Sequence, residues 1–95
     1  MGAKLTPTSP WCVASVEARP GFRLWVRFKD GREGEVVLNE LIHSENAGVF
    51  AALRNESRFR QVHVRCGVVT WPGELDLAPD AMYESILKTG RWIVR

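Results

Sequence analysis

The chain is poor in the features that usually announce a function. No apolar run approaches the roughly 18 residues of a membrane span, which excludes an integral membrane protein built on helices. The opening Met1-Gly2-Ala3-Lys4-Leu5-Thr6-Pro7 holds no hydrophobic signal-peptide stretch. Only two cysteines occur, Cys12 and Cys66, far apart and in no paired spacing. With no signal, that usage favours free thiols in a reducing cytoplasm. Charge of one sign is scarce as well: 13 Lys and Arg stand against 11 Asp and Glu, a net +2. The chain-wide basic field that drives general nucleic-acid binding is therefore absent, leaving room only for a local patch.

Catalytic signatures are missing too. There is no G-x-S-x-G elbow, no G-x-G-x-x-G and no P-loop, and Gly31-Arg32-Glu33-Gly34 falls at a hairpin rather than before a helix. His43, His63, Cys12 and Cys66 show neither C-x-x-C nor H-x-x-x-H spacing, whereas a structural zinc needs four converging ligands. Glu33 and Glu35 lie two apart on a strand, hence on one face, but Arg27 and Lys29 nearby suit them better to ion pairs. Cys66, beside Arg65 and three residues after His63, is the nearest approach to a nucleophile. A harmless turn residue is the better reading, and a deep polar pocket around His63 or Cys66 would be the first sign of an enzyme. No catalytic residue, cofactor or metal is assigned, and the expectation is a protein that is not an enzyme.

What the 95 residues do hold is an ordinary globular composition, 45 % apolar and 25 % charged, enough for one core. Residues 1–10, with two prolines and little apolar bulk, read as an extended or mobile leader, and 11–95 as a single α+β domain. Phe22, Leu24, Val26 and Phe28 alternate with Arg23, Trp25 and Arg27, a half-buried strand at period two. A Lys29-Asp30-Gly31 loop sets Arg27 opposite Glu33 and Leu24 opposite Val36, burying apolar against apolar and pairing opposite charges. An Arg19-Pro20-Gly21 loop before it puts Cys12, Ala14, Val16 and Ala18 on the phenylalanine face and Val13 on the other. The result is a three-strand antiparallel meander.

Residues 39–55 switch to helical spacing, with Asn39 as a cap and Val49, Phe50 and Leu53 as a stripe. A second β-hairpin turns at Cys66-Gly67, setting Val64 against Val69 and Val62 against Trp71, and Pro72-Gly73 ends the pairing. A C-terminal helix spans 79–89, with Pro79 and Asp80 at its start, Lys88 and Gly90 at its end, and Met82, Tyr83, Ile86 and Leu87 as its apolar stripe. The tail Arg91-Trp92-Ile93-Val94-Arg95 either docks on the domain or serves an interface.

Ordered along the chain, several short signals form a pattern. They are Val16-Glu17 with Pro20-Gly21-Phe22-Arg23-Leu24, Val26-Arg27-Phe28-Lys29-Asp30-Gly31 and Gly34-Glu35-Val36. Val49-Phe50-Ala51-Ala52-Leu53-Arg54, Phe59, Val62, Val69-Thr70-Trp71-Pro72 and Asp76-Leu77-Ala78-Pro79-Asp80 complete it. In these landmarks the chain resembles the small bacterial domain-of-unknown-function family 2442. The resemblance implies a compact α+β domain without established catalytic residues, an accessory or regulatory module often encoded beside another short protein, as in toxin–antitoxin pairs. Some members carry a helix-turn-helix domain behind this one, which is not expected in a chain stopping at Arg95. Two landmarks depart from the family pattern: Gly73 follows Trp71-Pro72 where Asn is usual, and Ala78 stands where a capping Ser is common.

The expectation is thus an interaction domain that binds a small protein partner, as the regulatory or antitoxin-like member of a pair. Trp25, Val37, Trp92, Ile93 and Val94 are the surplus apolar residues available for the interface, and the tail suits a homodimer as well as a heteromer. The alternative is single-stranded nucleic-acid binding, with Arg23, Trp25 and Arg27 projecting from one strand face to stack bases and hold phosphates.

Overall fold

A computed structural model describes residues 11–73 and 75–94, and the expected leader at 1–10 lies outside them. Strands β1 (Val13–Arg19), β2 (Arg23–Phe28) and β3 (Glu33–Val37) are followed by helix α1 (Asn39–His43), a 3-10 segment (Gly48–Arg54) and helix α2 (Glu56–Phe59). Strands β4 (His63–Arg65), β5 (Val68–Trp71) and β6 (Leu75–Asp76), helix α3 (Pro79–Thr89) and strand β7 (Arg91–Ile93) complete an α+β fold. One sheet runs β1-β2-β3-β7 and the other β4-β5-β6. The two meet at β1, where the Val13 N–H donates to the Gly67 carbonyl at 3.0 Å.

The meander has the expected β2–β3 register, with Arg27 opposite Glu33, Val26 opposite Gly34 and Leu24 opposite Val36. The turn closes through Phe28 N–H to the Arg32 carbonyl at 2.8 Å and Gly31 N–H to the Phe28 carbonyl at 3.0 Å. Gly31, at φ +94°, supplies the left-handed residue that this loop demands.

The β1–β2 hairpin differs from expectation in two ways. Its loop is Pro20-Gly21-Phe22, with Arg19 opposite Arg23 and Ala18 opposite Leu24. A shift of two residues preserves the faces, so Val16 and Ala18 still point inward. Phe22 leaves the strand for a left-handed turn at φ +55°, its ring edge-on to His43 and Phe59 at 5.0 and 5.3 Å. The second difference is a bulge between Val13 and Ser15. It sets Val13 opposite Phe28 and buries it to 1 % exposure, while Ala14, expected inside, is exposed. Cys12 is buried as expected.

The second hairpin pairs Val64 with Val69 across Cys66-Gly67, both loop residues at positive φ. Val62 lies before β4 rather than opposite Trp71 in the ladder. Pro72-Gly73 does end β5, but the chain doubles back there and pairs Leu75 and Asp76 with Trp71 and Thr70, a third strand that was not expected.

Residues 39–55 carry the largest corrections. Asn39 is the first residue of α1 and not its cap; Leu38 precedes it and no side chain caps the helix. The second segment is a 3-10 helix. At three residues per turn, Phe50 and Leu53 align inward while Val49 falls off the face, 67 % exposed. Asn55 provides an unanticipated cap, its side chain accepting from the Ser57 N–H at 2.9 Å ahead of α2.

Helix α3 spans the residues read from the sequence and ends on left-handed Gly90. Met82 and Ile86 are buried and Tyr83 half-buried, but Leu87 is 49 % exposed, so the apolar stripe is narrower than expected. The tail docks: Arg91, Trp92 and Ile93 pair in parallel with Glu35, Val36 and Val37 of β3.

The core fills the space enclosed by the two sheets and α3. Trp71, 2 % exposed, donates its indole N–H to the Phe59 carbonyl at 2.8 Å, which removes the cost of burying that donor. Its ring meets Phe50 and Phe59. Helix α3 lies so close to β3 that a Cβ on Gly34 would sit 2.6 Å from Ile86 Cγ2 and 2.9 Å from the Gly90 carbonyl oxygen. Gly34→Ala is therefore expected to destabilise the domain by about 1–3 kcal/mol through overpacking. A urea midpoint equal to that of the unsubstituted chain would contradict this packing.

Candidate interaction surfaces

Alternation along four strands assembles the outer face of the larger sheet. Glu17 and Arg19 come from β1, Arg23, Trp25 and Arg27 from β2, Glu33, Glu35 and Val37 from β3, and Arg91 and Ile93 from β7. Registry sets Glu17, Trp25, Glu35 and Arg91 in one row, and Arg19, Arg23, Val37 and Ile93 in the next. Arg27 thus faces Glu33 and Arg91 faces Glu35 across strands, while Arg19 faces Arg23.

Glu35 is the centre of this lattice. Arg23 reaches one of its oxygens at 3.0 Å and Arg91 the other at 3.2 Å, tying β2, β3 and β7 together. Arg27 approaches Glu33 at 3.5 Å, and Arg19 meets Glu17 at 3.0 Å. Trp25 lies among them, its indole N–H on Glu33 at 2.9 Å and the Arg19 guanidinium 5.0 Å over its ring. That hydrogen bond from Trp25, with the charge of Arg27, holds the Glu33 carboxyl below its usual range.

The five apolar interface candidates divide between the two sides of the sheet. Trp25, Val37 and Ile93 are on the outer face, Val37 directly beside Ile93. Trp92 and Val94 pack against the core cluster on the inner side. Their pull is structural, and the sequence could not separate the two roles without knowing that the tail is a strand.

His63, Cys66, Thr70 and Asp76 gather on the outer face of the smaller sheet around a hollow of about 350 Å3. His63, Thr70 and Asp76 form one row across its three strands. The Thr70 hydroxyl donates to the Asp76 carboxylate, and the His63 imidazole Nδ1 lies 3.0 Å from the Gln61 carbonyl oxygen. Cys66 is exposed at the hairpin tip, and Cys12 is buried behind Gly67. The hairpin read from the sequence already puts Thr70 on the face of His63, whereas Asp76 was missed because β6 was missed; Leu75-Asp76 after Pro72-Gly73 was the available signal. Among the described residues no three His, Cys, Asp or Glu side chains converge as a metal site would require, and no helix is long and apolar enough to cross a membrane.

The model of the family described as "Protein of unknown function (DUF2442)" matches residues 13–88. The chain belongs to this family. No curated protein and no solved structure matches it. Within this DUF2442 domain the Lys29-Asp30-Gly31 landmark has a physical reading. The Tyr83 hydroxyl of α3 donates to Asp30 at 2.7 Å, and its ring stands edge-on to Phe28 at 5.0 Å, locking the β2–β3 turn to the helix.

Burial works against the Asp30 carboxylate, but the Arg32 N–H, the Tyr83 hydroxyl and the Arg32 charge outweigh it and hold the group below its ordinary value of 3.8. A folded pKa below the unfolded one adds stability that is complete above the unfolded value and lost as pH falls through the folded one. Asp30 and Glu33 therefore make the domain acid-sensitive. Tyr83→Phe should move the Asp30 titration midpoint up towards 3.8, read by carboxyl NMR. An unmoved midpoint would show that the hydroxyl does not hold the carboxylate.

Proposed function

We propose that this domain is a non-enzymatic module that binds a small protein partner through the outer face of its four-stranded sheet. The observation that carries this reading is the state of the charges there. Arg19, Arg23, Arg27 and Arg91 each contact a glutamate within the face, Arg23 and Arg91 sharing Glu35, so most of the charge a partner would cover is already compensated. Its apolar patch lies on β3 and the edge strand β7, where Ile93 is 40 % exposed beside Val37, with Trp25 diagonally across β3. The same lattice disfavours single-stranded nucleic acid here, because Arg23 and Arg27 are engaged and three carboxylates would face the phosphates.

A role as the regulatory, antitoxin-like member of a bacterial pair, in a reducing cytoplasm, is part of this proposal and rests on the family's character. Affinity capture from the native host, with and without nuclease, tests it. Val37→Glu and Ile93→Glu should each reduce recovery of one stoichiometric small protein about tenfold or more. Trp92→Ala should act mainly on stability, lowering it by about 1–3 kcal/mol as a half-buried core contact is lost. Undiminished recovery with both glutamate variants, or nuclease-sensitive recovery of RNA or DNA, would overturn the sheet-face reading.

A further inference from the structure

The basic surplus of the chain is concentrated elsewhere. Between Arg54 and Arg65 the sequence places four arginines and His63 against a single acid, Glu56. Arg54 is consumed structurally, its guanidinium donating to the Ile42 and Ser44 carbonyls at 2.7 and 3.2 Å. Arg58, Arg60 and Arg65 are exposed and form no ion pair with any described residue. This is the reverse of the sheet face, where every arginine contacts a glutamate, Arg23 and Arg91 the same one.

Two of these cations, Arg58 and Arg65, each border a hollow. The hollow of about 350 Å3 flanked by His63 and Arg65 shares Trp71 and Pro72 with a second of about 250 Å3 flanked by Arg58 and Gln61. The Trp71-Pro72 corner thus stands between two depressions, with cationic side chains along both.

We propose that this ledge binds an extended, acidic segment of a protein partner. Arginine's planar fork suits carboxylates bidentately, and Arg58 and Arg65, one at each hollow, would take successive acidic side chains. Gln61 offers an amide to the segment's main chain. The hollows admit the intervening apolar side chains. Nucleic acid fits less well. Phe59 and Trp71 are each 2 % exposed, so neither of these rings is available for stacking bases. The ledge is a different surface from the sheet face, and neither proposal depends on the other.

The test is an amide NMR titration of the full chain with a short synthetic peptide alternating Glu and Leu. A Lys-for-Glu counterpart and an oligothymidine run beside it. Saturable shifts at Gln61, His63, Arg65 and Gly73 are expected with the acidic peptide only, weakening about tenfold between about 50 and 300 mM salt. Arg58→Glu with Arg65→Glu should weaken binding about tenfold or more, and the paired Gln variants by less. Both side chains are exposed, and the unliganded spectrum verifies the fold of each variant. Ile93→Glu should leave peptide affinity unchanged, which separates failure here from failure of the sheet-face reading. Absence of saturable shifts, equal response to the basic peptide, shifts centred on β2 and β3, or oligothymidine binding as tight as the peptide would each overturn the proposal.

Discussion

The missing side chain of Gly34 governs how the C-terminal third of the domain is arranged. With only hydrogen on its Cα, β3 lets α3 settle until the Ile86 side chain and the Gly90 carbonyl occupy the space a Cβ would need. The helix then ends directly against the strand: the Glu35 N–H donates to that Gly90 carbonyl at 3.2 Å. Left-handed Gly90 turns the chain, and the next residues run alongside β3 in parallel. A larger residue at 34 would lift the helix, and the hydrogen bond that starts β7 would lengthen with it. The fourth strand, the second arginine on Glu35 and the Val37–Ile93 pair all follow from that single close approach.

Tyr83 secures the other end of the same helix. Its ring on Phe28 and its hydroxyl on Asp30 connect α3 to the turn that sets the β2–β3 register. Helix and hairpin thus specify each other's position. The apolar ring contact supplies the adhesion, and the hydrogen bond to a carboxylate on a tight turn supplies the direction. Two local landmarks of the family, Asp30-Gly31 and the helix after Pro79, are in this sense one tertiary contact.

Legibility in the sequence tracked how local each determinant was. The β2–β3 pairing was readable because a wrong register would expose Leu24, Val26 and Phe28 while separating Arg27 from Glu33. Helix α3 was readable from Pro79, Asp80 and Gly90 at its ends. The bulge at Ala14 was not, since burying Val13 in place of Ala14 is decided by the neighbouring sheet, through the Val13–Gly67 hydrogen bond. A 3-10 helix and an α-helix share most of their residue preferences, so the fate of Val49 depended on packing alone. Strand β7 is three residues of apolar tail whose partner is more than fifty residues upstream. Of the candidate surfaces, the alternation that put Trp25 and Val37 on the outer face was visible, whereas the inward turn of Trp92 and Val94 was not.

The contrast between the two charged surfaces follows from backbone geometry. On a sheet, registry brings arginine and glutamate on adjacent strands close enough to meet, so most of the face's charge is compensated as it forms. Segment 54–65 has no such registry. It passes from a 3-10 helix through one turn of α2 into a three-residue strand, so its arginines leave the backbone in different directions. Pairing them internally would require long side chains to be ordered for exposed ion pairs worth about 0–1 kcal/mol each, a poor return against their rotamer entropy. A partner that brings its own carboxylates to several of these cations at once changes that balance, because its already extended backbone orders them together and its apolar side chains add burial in the hollows beside Trp71 and Pro72. The sheet face, with most of its charge already compensated, can instead gain chiefly from covering Val37, Ile93 and Trp25. Two surfaces of one small domain are thereby suited to different chemistries, one apolar with compensated charge and the other cationic and open.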